Sequence, residues 1–198
     1  MNASLGPAAI REALARTQPN LVTPSEGERR AAVALLLRPH ESGAEALFVK
    51  RAQVMGDPWS GHMALPGGHR DPDDVDLIDT ARRETHEEVG VSLRRAAFLG
   101  QLDDIHPVSR GLPSIVVSPF VAWRSDEFEI SSNHEVQYHH WIPVATLADP
   151  VSHSELRWGG RGQEKRYPSI LFEGDTIWGL THRIVVNFLE ILAEELGR

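Results

Sequence analysis

Residues 65–91 read LPGGHRDPDDVDLIDTARRETHEEVGV. Pro66-Gly67-Gly68 makes a turn, an acidic loop follows, and the loop feeds a short helix that stops at Gly90. Asp73 or Asp74 can cap the helix, and Gly90 sits where a left-handed residue ends one. Leu77, Ile78, Ala81 and Val89 mark its buried side. Glu84, Glu87 and Glu88 lie at i, i+3 and i+4, so the reading places all three on one face near the C-terminus. That placement is unfavourable alone, because like charges repel and the helix dipole disfavours anions there. A hard divalent cation relieves both effects, and such ions take carboxylate oxygens. Gly67-Gly68 lets backbone approach the same place, so a main-chain carbonyl can add a ligand. Arg83 can orient Glu84 by charge-assisted hydrogen bonds. An acidic helix is usually only a solvated face; the ordered combination of glycine turn, Arg83-Glu84, Glu87-Glu88 and Gly90-Val91 is far more specific.

Outward from this stretch, residues 7–17 read as a short helix with Pro7 at its start and Ile10 and Leu14 on one side, and 18–28 as a linker. Ala31–Leu37 is continuously apolar, the mark of a strand buried on both faces, and with Glu45–Arg51 it predicts a hairpin. Residues 52–64 form a loop. Ala96–Leu102, Ile115–Trp123, Val136–Ile142 and Ser169–Phe172 read as strands, with Pro119 implying an edge or a bulge. Pro143–Leu147 begins a short helix or turn, 150–168 a long loop or hairpin, and Ile177–Leu196 a long amphipathic helix. Strands and helices mix without strict alternation, so the expected class is an α/β sandwich with a mixed sheet.

The 198 residues are 41% hydrophobic and 24% charged, as in a soluble globular domain. Cysteine is absent, which removes disulfides and thiolate metal sites and accords with a reducing cytoplasm, the expected location. Neither a membrane-spanning run nor a signal peptide is apparent. A net charge of −8 argues against generic attraction to nucleic acid or membrane, and an enzyme of this charge acting on an anion needs local cations.

The central stretch resembles the Nudix box, written G, five residues, E, seven residues, R-E-apolar-x-E-E-x-G-apolar. Gly68, Arg83, Glu84, Glu87, Glu88, Gly90 and Val91 match it. The Gly68–Arg83 spacing is one residue longer than usual, Asp73-Asp74 stands in place of the first glutamate, and Thr85 replaces an aliphatic residue. The lengthened loop GGHRDPDD, the segment IWGLT at 177–181 and Glu135-Val136 followed by Trp141-Ile142-Pro143 resemble the coenzyme A pyrophosphatase branch. Upstream, Arg51-Ala52 and Gly61 match that branch, whereas a middle Arg is missing, Leu65 replaces Phe, and Tyr138 stands where a second Glu often follows.

The resemblance implies a Nudix-type α/β/α sandwich, with residues 1–28 an N-terminal helix and linker and 29–198 the hydrolase domain. It implies hydrolysis of a pyrophosphate with Mg²⁺ or Mn²⁺ as cofactor. Glu84 and Glu88 would be the main metal ligands, Glu87 a further ligand or base, the Gly68 carbonyl a possible ligand, and Glu135 the alternative base. Arg83 belongs to the catalytic set, and Arg51 and Gly67 to substrate binding. The expected partner is a small nucleotide: coenzyme A or acyl-CoA first, ADP-ribose, NADH or another nucleotide second. No nucleic acid or membrane partner is expected, and a homodimer fits the branch. A non-catalytic nucleotide-binding module is a third reading, disfavoured because the box glutamates are all present. Weaker candidates are the cationic cluster Arg157, Arg161, Lys165 and Arg166 for an extra phosphate, Trp59 and Trp158 for stacking on adenine, and His62 and His69 flanking the turn. His139 and His140 should point to opposite faces of a strand.

Overall fold

Strand β1 (Arg29–His40) carries two interleaved apolar sets. Ala32, Ala34 and Leu36 enter one core, and Ala31, Leu35 and Leu37 enter the other. Strand β2 (Gly43–Arg51) repeats this, with Leu47 and Val49 on the first side and Ala46 and Phe48 on the second. A period-two chain with apolar groups at every step must be covered on both faces. Full burial of each Leu or Phe stabilises by roughly 1.5–3 kcal/mol.

The computed structural model describes residues 5–56, 59–107, 114–159 and 164–197. Beyond β1 and β2, the main sheet contains β3 (Met63–Ala64), β4 (Gly67–His69), β5 (Phe98–Gln101), β6 (Ile115–Trp123) and β7 (Val136–Pro143). Its order is β3-β2-β1-β6-β5, with β4 also paired to β1 and β7 to β2. The β1–β6 pair is parallel and the other pairs antiparallel, so the sheet is mixed as expected. Helix α2 (Leu77–Val89) covers the first face through Ala81 and Val89. The second face is covered by α1 (Pro7–Arg16), through Ile10, Ala13 and Leu14, and by α4 (Gly179–Leu196), through Ile184, Val185 and Phe188. The short α3 (Val144–Ala148) adds Val144 and Leu147. A second antiparallel sheet is built of β8 (His153–Trp158), β9 (Lys165–Phe172) and β10 (Asp175–Trp178).

Several expectations are corrected. Ile177 and Trp178 belong to β10, and the last helix starts at Gly179. Strand β9 begins at Lys165, earlier than Ser169. Residues 95–97 form a short 3-10 turn ahead of β5. Pro119 lies in an internal strand, β6. Its carbonyl accepts from the Leu102 N–H at 3.0 Å, so its missing N–H faces the point where β5 has ended. The chain lifts away there and re-pairs at Ile105↔Val117, so the proline interrupts no ladder bond. Among the described residues, no helix is long and apolar enough to cross a membrane.

Candidate active site

Helix α2 is held at both ends. Asp76 caps it, accepting the Asp79 N–H at 3.0 Å, where Asp73 or Asp74 was expected. Gly90 closes it with φ 72° in the left-handed region. Thr85, at the position usually aliphatic, is fully buried and donates its hydroxyl to the Ala81 carbonyl at 2.6 Å. A polar residue is tolerated inside because that hydroxyl is satisfied within the helix.

Asp74 has another task. It is 8% exposed and receives Arg83 through both Nε (3.0 Å) and Nη2 (2.9 Å). The Thr80 hydroxyl and the Asp71 N–H complete its shell at 2.8 and 2.9 Å. The guanidinium hydrogen bonds hold the Asp74 carboxyl well below the usual carboxylate range, aided by these donors. Arg83 in turn donates from Nη1 to Glu84 at 2.8 Å and to Glu87 at 3.2 Å, and from Nη2 to the His69 carbonyl at 2.9 Å. The longer loop thus supplies, from Asp74, the acidic partner of Arg83.

The three glutamates that the sequence places on one face of the helix differ in burial. Glu88 is 3% exposed, Glu84 is half-buried, and Glu87 is exposed. Burial pushes the Glu88 carboxyl up to about 7, against the Gly67 N–H, which donates to it at 3.0 Å, and the nearby Arg51 cation. Glu84 is also raised, chiefly by burial, with Arg83 opposing and the charges of Glu87 and Glu135 adding to the rise. Glu135, exposed on the turn before β7, adds its negative charge to the rise of both Glu84 and Glu88; its carbonyl accepts the Ala52 N–H at 2.7 Å, which fixes that turn beside the end of β2. Arg51 lies at that end, with its N–H on the His62 carbonyl at 3.0 Å.

The two glycines of the turn are explained by contact. A Cβ at Gly67, where φ is 154°, would stand 2.3 Å from the Ala32 carbonyl oxygen and 2.5 Å from the Val33 Cα. One at Gly68 would stand 2.5 Å from the Glu84 carboxylate. Backbone and carboxylate thus meet where the turn was expected to bring them. The oxygen-only donor set, with one carboxylate buried against its preference for water, fits a hard divalent cation. Among the described residues, no three His, Cys, Asp or Glu side chains already converge as a metal cluster, since Glu84 and Glu87 are turned to Arg83.

The weaker candidates separate. His139 and His140 differ: His140 donates from Nε2 to the Asp175 carboxylate at 3.0 Å, whereas burial lowers the pKa of His139. Trp59 packs against the core. Arg157 and Arg166 pair across β8–β9, with Arg166 on Glu155 at 3.2 Å; Arg161 lies outside the described residues. His69 is exposed, contributing its carbonyl to Arg83. Sequence reading missed the tie between Asp74 and Arg83 and the buried Asp175; for the first, the acidic run in place of a box glutamate was the signal.

The NUDIX domain profile matches residues 27–159. An uncharacterized protein of Schizosaccharomyces pombe is 34% identical over 178 residues, covering 76% of this chain; the chain spans 52% of that protein's length. The uncharacterized Nudix hydrolase NudL of Photorhabdus laumondii is 31% identical over 164 residues, covering 81% of this chain and 83% of its own. A MutT/nudix family protein from Enterococcus faecalis superposes with a TM-score of 0.60 at 18% identity, over 87% of this chain and 65% of its own, a likeness of fold.

Proposed function

The chain belongs to the NUDIX domain family, and from that premise we propose that it is a divalent-metal-dependent pyrophosphohydrolase whose substrate is coenzyme A or an acyl-CoA. The products are 4′-phosphopantetheine and adenosine 3′,5′-bisphosphate. One observation carries the reaction class: buried Glu88 and half-buried Glu84 lie one helical turn apart against Gly67-Gly68, with Arg83 locked behind them by Asp74. The substrate reading is supported by where the branch-like segments come to rest. The Thr181 hydroxyl of IWGLT donates to the Met63 carbonyl at 3.1 Å, just before the glycine turn. Glu135-Val136 lies beside Arg51 and Ala52.

Mg²⁺ or Mn²⁺, when bound, supplies positive charge against the negative charge that develops on the pyrophosphate. Glu84 and Glu88 are the residues to hold it, with Glu87 and the Gly68 carbonyl as further ligands. Arg83 fixes the Glu84 carboxylate and is itself fixed by Asp74. Glu135 is the base of this reading, because Glu87 is tied to Arg83 while Glu135 is exposed on a turn anchored beside Arg51 and its charge acts on Glu84 and Glu88. It takes the proton of the water that attacks phosphorus. Arg51 orients a phosphate.

Coenzyme A, an acyl-CoA, ADP-ribose, NADH and nucleoside triphosphates incubated with Mg²⁺ and Mn²⁺ decide the matter. Cleavage of coenzyme A is expected. Cleavage of ADP-ribose with coenzyme A untouched replaces the substrate by the second reading, which the missing upstream Arg and Leu65 favour. If none is cleaved, the hydrolase reading fails.

A further inference from the structure

A cluster of rings stands outside the carboxylate site. Trp178 packs on His62 at 4.8 Å between ring centroids, on Trp158 at 5.2 Å and on Tyr167 at 5.5 Å. His62 meets Trp158 edge-on at 5.7 Å, with the planes 85° apart. The register explains the convergence. Leu156↔Tyr167, Trp158↔Lys165 and Trp178↔Ser169 are directly opposed, so these side chains share one face of the second sheet. Arg157, Arg166 and Glu155 take the other face.

The cluster is not a closed core. Trp158 is 53% exposed, although burying a tryptophan against its two neighbouring rings, His62 and Trp178, is the favoured outcome for so large a side chain. On the same face the Ser169 hydroxyl is buried without a hydrogen-bond partner among the described residues, an uncommon state for a buried polar group. The cluster also adjoins the catalytic machinery. The His62 carbonyl accepts the Arg51 N–H, and Arg51 acts on the charge of Glu88. Gly67 is five positions on from His62, so their Cα atoms stand at most roughly 18 Å apart.

We propose that Trp158, with Trp178, Tyr167 and His62 behind it, is the stacking subsite for the nucleobase of the substrate. A half-exposed indole backed by rings is rigid, apolar and planar, and stacking accepts any base face. This inference rests on the nucleotide-hydrolase reading and assigns the base end of that substrate to the second sheet.

AMP binding to the full chain, in chelator and followed by tryptophan fluorescence and calorimetry, tests it without turnover. Wild type should bind AMP more tightly than ribose 5-phosphate, which has no base. Trp158→Ala should weaken AMP about tenfold and leave ribose 5-phosphate unchanged. Trp158→Phe should restore most of the loss. Leu171→Ala, at an exposed position of the same hairpin, should change neither, and circular dichroism should show each variant folded. With a cleaved substrate, Trp158→Ala should raise KM and spare kcat. Equal AMP affinity in wild type and Trp158→Ala, or no preference for AMP over ribose 5-phosphate in wild type, overturns the subsite. If AMP binding behaves as expected while no pyrophosphate is cleaved, the hydrolase reading fails and the base subsite stands.

Discussion

Gly67 and Gly68 are adjacent and are glycine for different reasons. At Gly67 a side chain would strike backbone of β1, and φ is 154°, so neither the neighbour nor the residue can give way cheaply. At Gly68 the obstructed atoms are the tip of Glu84, which can swing aside. The two alanine variants should therefore diverge. Gly67→Ala should lose roughly 3 kcal/mol of stability by urea unfolding, in the range of overpacking plus backbone strain. Gly68→Ala should stay within about 1 kcal/mol of wild type and lose turnover at least tenfold, because it displaces Glu84, the proposed metal ligand, and not the fold. Similar stabilities for the two would refute the distinction. Glu88→Gln isolates charge from shape at the same spot: its amide fills the same buried space, and kcat should fall by two orders of magnitude or more with little change in folding. Near-normal turnover in that variant would remove Glu88 from the metal site.

For α2 the informative quantity is charge at its C-terminal end. Glu84, Glu87 and Glu88 occupy its last two turns, where the macrodipole opposes them, and Arg83 is the cation that meets two of the three. A divalent ion binding there should stabilise the whole fold by mass action, about 2.7 kcal/mol at a hundredfold excess over Kd. For a chain of this size that is a rise in Tm of roughly 5–10 °C. Adding Mg²⁺ or Mn²⁺ to chelated protein should show this rise by differential scanning fluorimetry, and Glu88→Gln should abolish most of it. An equal rise in that variant would place the ion elsewhere. The helix itself was legible because its period, its glycine stop and its spaced glutamates all agree. Its capping was not, because Asp71, Asp73, Asp74 and Asp76 are chemically interchangeable in one dimension. Only the folded loop brings Asp74 to Arg83 and leaves Asp76 at the helix start.

Across the whole molecule, legibility follows how local the determining force is. The β1–β2 hairpin and α4 announce themselves by apolar period, whereas β10 is four residues long and recognisable only through its pairing with β9. What ties that second sheet to the main one was invisible for the same reason. Asp175 on β10 accepts from Lys50 of β2 at 2.7 Å, and from the Tyr138 hydroxyl at 2.9 and 3.0 Å and His140 at 3.0 Å, both of β7. These residues are scattered over 125 positions of sequence. Burial would raise the Asp175 carboxyl, but Lys50, Tyr138 and His140 outweigh it and hold the group below its ordinary value. A carboxyl depressed on folding contributes stability that is fully present above its unfolded pKa, roughly 3.9, and is lost as pH falls through the folded value. Asp175→Asn should therefore cost about 2 kcal/mol at pH 7, the scale of hydrogen bonds to a charged group. The gap from wild type should narrow as pH falls below about 4. Urea titrations of both proteins at pH 7 and in the acid range measure it, and a gap that stays constant with pH would show that the network holds the two sheets together by shape and not by the charge of Asp175.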